Sequence, residues 1–112
     1  MFQDKSSVPE ISVDELKSKL DRREKITLID VREPDEYEIC HIENAKLIPL
    51  RQLPNHLNEL NPAELTILYC HHGPRSAQAV LWLKKNGFNQ AVNLSGGIDE
   101  WALKIDPEMD RY

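Results

Sequence analysis

Seven consecutive residues carry the groups that could make and break covalent bonds: Cys70, His71, His72, Gly73, Pro74, Arg75 and Ser76. A cysteine held as a thiolate is a strong nucleophile. The arginine that follows it offers a planar, permanently charged fork for an anion. The run before them, Leu65 to Tyr69, is short, apolar and bounded by turn signals, so it reads as a buried strand. Gly73 and Pro74 make a tight turn. Ser76 is then placed to cap a helix running to Asn86, with Gly87 as its C-terminal stop. The unit is strand, loop, helix, with Cys70 at the strand's carboxyl end. Ligands of open α/β sheets bind outside those ends. Backbone N–H groups in a loop that opens a helix can converge on an anion. The sequence therefore predicts a Cys70 thiolate in a cradle of amides from His71 to Ser76. The competing reading is a buried structural cysteine, a common fate of free thiols. The company of Gly73, Pro74 and Arg75 favours the nucleophile.

Arg75 has two candidate roles: steering an anionic substrate into the pocket, or bracing the loop by bonding its carbonyls. His71 and His72, with Cys70, His41 and Cys40, raise a metal site as an alternative. Zinc needs ligands that converge tetrahedrally, and three adjacent residues in a tight loop do so poorly. The imidazoles fit better as donors at the pocket rim. The expectation is no metal and no bound cofactor.

The elements that must position this loop follow from the rest of the chain. Residues 1–9 read as a flexible lead-in, and residues 10–112 as a single domain. Ser12 with Glu15 forms a capping-box pattern opening a helix through about Leu20, with Leu16 and Leu20 on one face. Ile26 to Val31 is a second buried strand, ending at the charged pair Asp30 and Arg32. That pair reads as a polar network holding loops in place rather than as a chemical participant. Glu33 to Glu38 starts a short helix with Pro34 near its beginning and acids at its positive end. Ala45 to Ile48 is a short strand. Leu50 to Leu60 is helical or partly 3₁₀, interrupted near Pro54, with Leu53, Leu57 and Leu60 inward. Gln90 to Leu94 is a last strand. Ser95-Gly96-Gly97 then turns into a helix carrying Trp101, where the glycines allow close packing or positive φ. Strands alternating with helices predict an α/β fold, a mostly parallel sheet with helices on both faces.

Three stretches together resemble the rhodanese-type sulfurtransferases. Cys70 and Arg75, separated by four residues and followed by Ser76 after an apolar strand, resemble that family's active-site loop. Leu28-Ile29-Asp30-Val31-Arg32-Glu33-Pro34-Asp35-Glu36-Tyr37, followed by His41-Ile42, resembles its Asp-Val-Arg signature. Asn93-Leu94-Ser95-Gly96-Gly97-Ile98-Asp99-Glu100-Trp101 resembles its terminal Gly-Gly signature. The resemblance runs from about Ile11 to Trp101. It implies a five-stranded sheet, a Cys70 persulfide as intermediate, and a substrate-binding loop of His71, His72, Gly73, Pro74, Arg75 and Ser76. It also implies a supporting rather than chemical role for Asp30 and Arg32. The chain departs from the family at Cys40 and Asn44, where glycine is common. Cys40 is either a resolving thiol for Cys70 or a small residue filling a packed turn. The stretch from Trp101 to Tyr112 is similar to the ending of rhodanese domains fused to adenylyltransferases that serve sulfur-carrier proteins. That implies a small sulfur-donor anion as one partner and a sulfur carrier or adenylyltransferase as another.

Composition narrows the alternatives. The chain is 40% hydrophobic and 29% charged, as globular proteins are. No apolar run is long enough to span a membrane. Net charge is −5 with no basic cluster, which speaks against nucleic acid. Two cysteines without a secretory signal fit a reducing cytoplasm. Two other classes of function compete. Cysteine phosphatases use a similar loop, but the fold-related type places one more residue between cysteine and arginine, widening the ring for phosphate. A non-catalytic interaction module would not need Cys70.

Overall fold

The computed structural model of the chain describes residues 8–112. Most of the expected lead-in, residues 1–9, lies outside the described residues. Within it, Val8 packs on the core and the Pro9 carbonyl accepts from the Asn93 N–H at 2.9 Å.

The elements are β1 (Glu10–Ile11), α1 (Val13–Asp21), β2 (Ile26–Asp30), α2 (Pro34–Ile39), β3 (Lys46–Leu47), a 3₁₀ segment (Leu50–Glu59), β4 (Leu65–Tyr69), α3 (Pro74–Lys85), β5 (Ala91–Leu94) and α4 (Gly97–Lys104). The five strands form one sheet in the order β1-β5-β4-β2-β3, and every neighbouring pair is parallel. This is the expected α/β architecture. β4, which leads to Cys70, is central: Leu68 lies between Ile29 of β2 and Asn93 of β5.

Alternation along β4 divides the core. Leu68 and Cys70 join Ile29, Val31 and Ala91 on one face, covered by Ala79, Val80 and Leu83 of α3 and Leu53 of the 3₁₀ segment. Ile67 and Tyr69 join Leu28 and Leu94 on the other, covered by Val13 and Leu16 of α1 and Ile98 and Trp101 of α4. Each fully buried aliphatic side chain contributes about 1.5–3 kcal/mol, so this two-faced burial is what fixes β4 in place. The capping box at α1 forms as its spacing predicts: Glu15 N–H donates to Ser12 Oγ and Ser12 N–H to Glu15 Oε1, both at 3.1 Å. The 3₁₀ segment carries Pro54 in its middle, and a proline removes a backbone donor there. Asn44 adopts φ +76°, the left-handed conformation that makes glycine common at this turn.

Candidate active site

The site is built where β4 ends and α3 begins. Cys70 is 1% exposed, so the sulfur sits at the floor of the loop. Gly73 N–H donates to Cys70 Sγ at 3.1 Å, and Ser76 Oγ lies 3.4 Å from the same sulfur. Of the amide cradle expected from His71 to Ser76, Gly73 N–H is the peptide donor in hydrogen-bond contact with the sulfur. Gly73 can aim it because its φ is +129°, which a side chain would resist.

One site residue sits differently from the sequence expectation, and for a second, one of its two candidate roles is not met. Ser76 does not cap α3. Pro74, with its fixed φ, starts the helix two residues earlier, with Gly73 as N-cap, and Ser76 falls inside the first turn, fully buried. Its single hydroxyl proton faces three acceptors: Cys70 Sγ, the Gly73 carbonyl at 3.1 Å and Asn93 Oδ1. Arg75 does not bond the loop's carbonyls. Its two terminal nitrogens grip Glu36 of α2, Nη1 to Oε1 at 2.8 Å and Nη2 to Oε2 at 3.0 Å. That bidentate pair ties the start of α3 to α2. The Arg75 side chain remains 39% exposed and keeps further N–H donors toward solvent.

The loop backbone is pinned from the other side by α4. Ile98 N–H donates to the Cys70 carbonyl at 2.9 Å and Asp99 N–H to the His71 carbonyl at 3.1 Å. These are amides of the first turn of α4, which have no partner within the helix. The approach requires Gly97. Its φ is +64°, and a Cβ there would lie 2.4 Å from the His71 oxygen and 2.5 Å from the Cys70 oxygen. Gly97→Ala is therefore expected to cost about 3 kcal/mol in a urea titration and to displace the loop, since strain and a backbone clash add.

Asp30 and Arg32 form a buried ion pair. Both are 0% exposed. Arg32 Nε donates to Asp30 Oδ1 at 2.9 Å and Nη2 to Oδ2 at 2.6 Å. Its remaining donors reach the Cys40 carbonyl at 2.7 Å, the Glu36 carbonyl at 3.3 Å and the Tyr112 hydroxyl at 2.8 Å. All five guanidinium N–H groups are used. Burial works against the Arg32 charge, but the hydrogen bonds it donates to Asp30 and Tyr112 outweigh it and push its pKa up.

Cys40 packs with the cluster on the opposite face of the sheet from Cys70, and both cysteines are free. Burial pushes the Cys40 thiol up, away from reactivity. It packs against the core on the far side of the sheet from Cys70. Among the described residues, no group of three or more His, Cys, Asp or Glu is arranged to hold a metal ion. A cleft of about 440 Å³ between α1, α4 and the turn at His41–Asn44 includes none of the loop residues.

The sequence profile of the rhodanese-like domain matches residues 12–104. The chain belongs to the rhodanese-like family. Over 101 residues it is 46% identical to "probable adenylyltransferase/sulfurtransferase MoeZ" of Mycobacterium tuberculosis, covering 88% of this chain and 26% of that protein. Over 95 residues it is 34% identical to a sulfurtransferase of Allochromatium vinosum, covering 85% of this chain and 89% of that one. The crystal structure of a rhodanese-like domain protein from Staphylococcus aureus superposes with a TM-score of 0.79 at 40% identity, over 84% of this chain and 91% of that one. Against several longer relatives the chain spans only part of the length, 40% and 55% in two of them.

Three residues of this rhodanese-like site were not singled out from sequence. Asn93 of β5 is buried; its side-chain oxygen meets Ser76 and its Nδ2 donates to the Gly73 carbonyl at 3.3 Å. Glu36 collects Arg75, Tyr112 and the Glu33 N–H on its two oxygens. Tyr112 stacks on His71 with ring centroids 4.1 Å apart. Only Glu36 left a local trace, as an acid in the first turn of a short helix. The Arg75 hydrogen bonds hold its carboxyl down to about 2, from an ordinary 4.5. A depressed carboxylate stabilises the fold above its unfolded pKa and loses that contribution as pH falls through the folded one. Glu36→Gln is thus expected to flatten the loss of stability between about pH 4.5 and pH 2, as read by thermal melts across that range.

Proposed function

We propose that this chain is a sulfurtransferase in which Cys70 carries a sulfane sulfur as a persulfide. The Cys70 thiolate attacks the outer sulfur of an anionic donor such as thiosulfate. A new S–S bond forms, the donor's S–S bond breaks, and sulfite leaves with the bonding pair. The resulting Cys70 persulfide anion is then attacked at its outer sulfur by a thiophilic acceptor, and the Cys70 thiolate is regenerated. The same two steps run with a low-molecular-weight persulfide as donor, which releases a thiolate instead of sulfite.

The observation that carries this reading is the contact of Gly73 N–H with Cys70 Sγ at 3.1 Å, inside a loop that keeps the family's cysteine and arginine. Removing one such donor from an anion site costs about a hundredfold in rate. Ser76 is suited to share in this, because its hydroxyl can turn from Asn93 toward a charged sulfur. The free edge of the Arg75 guanidinium attracts the donor anion. The names of the relatives, among them a putative sulfur carrier protein of Bacillus subtilis, support sulfur transfer as the class of chemistry. They also support a sulfur-carrier protein, activated by an adenylyltransferase, as the physiological acceptor.

Intact mass measurement of Cys70 after exposure to thiosulfate tests the reading. A gain of one sulfur atom, removed by cyanide, is the expected result. No gain, or phosphate-ester turnover faster than thiosulfate turnover, overturns it.

A further inference from the structure

We propose that Tyr112 is a positioning residue for this site, setting Arg75 through its hydroxyl and His71 through its ring. For its kinetic consequence the inference rests on the sulfur-transfer reading above. Tyr112 lies eighty positions from Arg32 and 76 from Glu36 in the chain, yet its hydroxyl sits between them. Arg32 Nη1 donates to it at 2.8 Å, and it donates to Glu36 Oε2 at 2.8 Å. The direction is forced, because a guanidinium only donates and a carboxylate only accepts. Glu36 then holds both terminal nitrogens of Arg75. A directed chain therefore runs from the buried Asp30–Arg32 pair through Tyr112 and Glu36 to the candidate anion-binding group. Burial pushes the Tyr112 phenol up to about 12, so the hydroxyl keeps the proton it donates.

The ring does separate work. It lies 4.1 Å from the His71 ring at 11° to it, and His72 closes on the other imidazole contact at 4.1 Å. His71 follows the nucleophile directly, so this stack fixes a side chain at the rim of the loop. The neighbouring residue adds a second tie: Arg111 Nε donates to Asp99 Oδ1 at 3.0 Å, and Asp99 N–H holds the His71 carbonyl. Two side chains of the tail thus converge on one loop by independent contacts.

The two branches can be separated by substitution. Tyr112→Phe keeps the ring and deletes the hydroxyl; Tyr112→Ala deletes both. In thiosulfate kinetics both variants are expected to raise KM about three- to tenfold, the equivalent of one ordinary hydrogen bond lost at Glu36, the carboxylate that holds Arg75, with kcat of Tyr112→Phe near wild type. By NMR, the His71 ring-proton resonances should stay in place in Tyr112→Phe and move in Tyr112→Ala. A KM within about twofold of wild type in both variants, or His71 resonances unmoved in Tyr112→Ala, overturns the inference. Should the wild-type protein take up no sulfur at all, it is the sulfur-transfer reading that fails. The resonances of His71 and of the Arg75 Nε–H then decide the positioning role alone: movement in Tyr112→Ala upholds it, and no movement ends it.

Discussion

Replacing Cys70 by serine is expected to abolish sulfur uptake and to lower turnover by about a thousandfold or more, as loss of a nucleophile does in other covalent mechanisms. The fold should survive. Serine is smaller than cysteine by little, and a hydroxyl at this buried position inherits Gly73 N–H and Ser76 Oγ as partners. What it cannot inherit is the sulfur's ease of ionisation or its ability to carry a second sulfur. The check is intact mass after thiosulfate, paired with the turnover rate and a circular dichroism spectrum. Turnover within about tenfold of wild type would show that the chemistry lies elsewhere. The substitution also separates a transferase from an interaction module, because a module would keep its role in the cell without the thiol.

The second large effect is on stability. Arg32→Ala should destabilise the domain by about 3–5 kcal/mol, the cost of leaving one partner of a buried ion pair alone. Asp30 would be left as a fully buried carboxylate, and the Glu36 and Cys40 carbonyls and the Tyr112 hydroxyl would lose their common donor. Removing both charges as Asp30→Leu with Arg32→Met should cost less than Arg32→Ala alone, since no unpaired charge remains. Urea titrations of the three proteins give the comparison. If Arg32→Ala stays within about 1 kcal/mol of wild type, the pair does not organise this end of the sheet.

Much of the fold was readable because its signals are local. β2 and β4 follow from apolar runs with clear ends, and the capping box placed the start of α1 at Val13. β1 was not readable. It is two residues long at the edge of the sheet, too short for any periodic pattern. At the site, the positions of Cys70 and of the Asp30–Arg32 pair were legible because they sit at strand ends. The partner of Arg75 was not, because Glu36 lies 39 positions away and only the packing of α2 beside α3 brings the two together. Ser76 was misplaced for a different reason. Pro74 and Ser76 are both helix-start signals, and the proline's fixed backbone won, which turned the serine inward to the sulfur. Tyr112 carried no signal of its own, since a tyrosine near a charged tail gives no hint of where the tail lies.

The placement of the two cysteines on opposite faces of the sheet has a consequence under oxidative stress. Peroxide reaching Cys70 would produce a sulfenic acid with no second thiol beside it among the described residues. That species leaves by condensation with a thiol from solution or with a backbone nitrogen, or by further oxidation to a sulfinic acid that ordinary reductants do not reverse. The pool of small thiols is therefore the partner that restores this centre by thiol exchange.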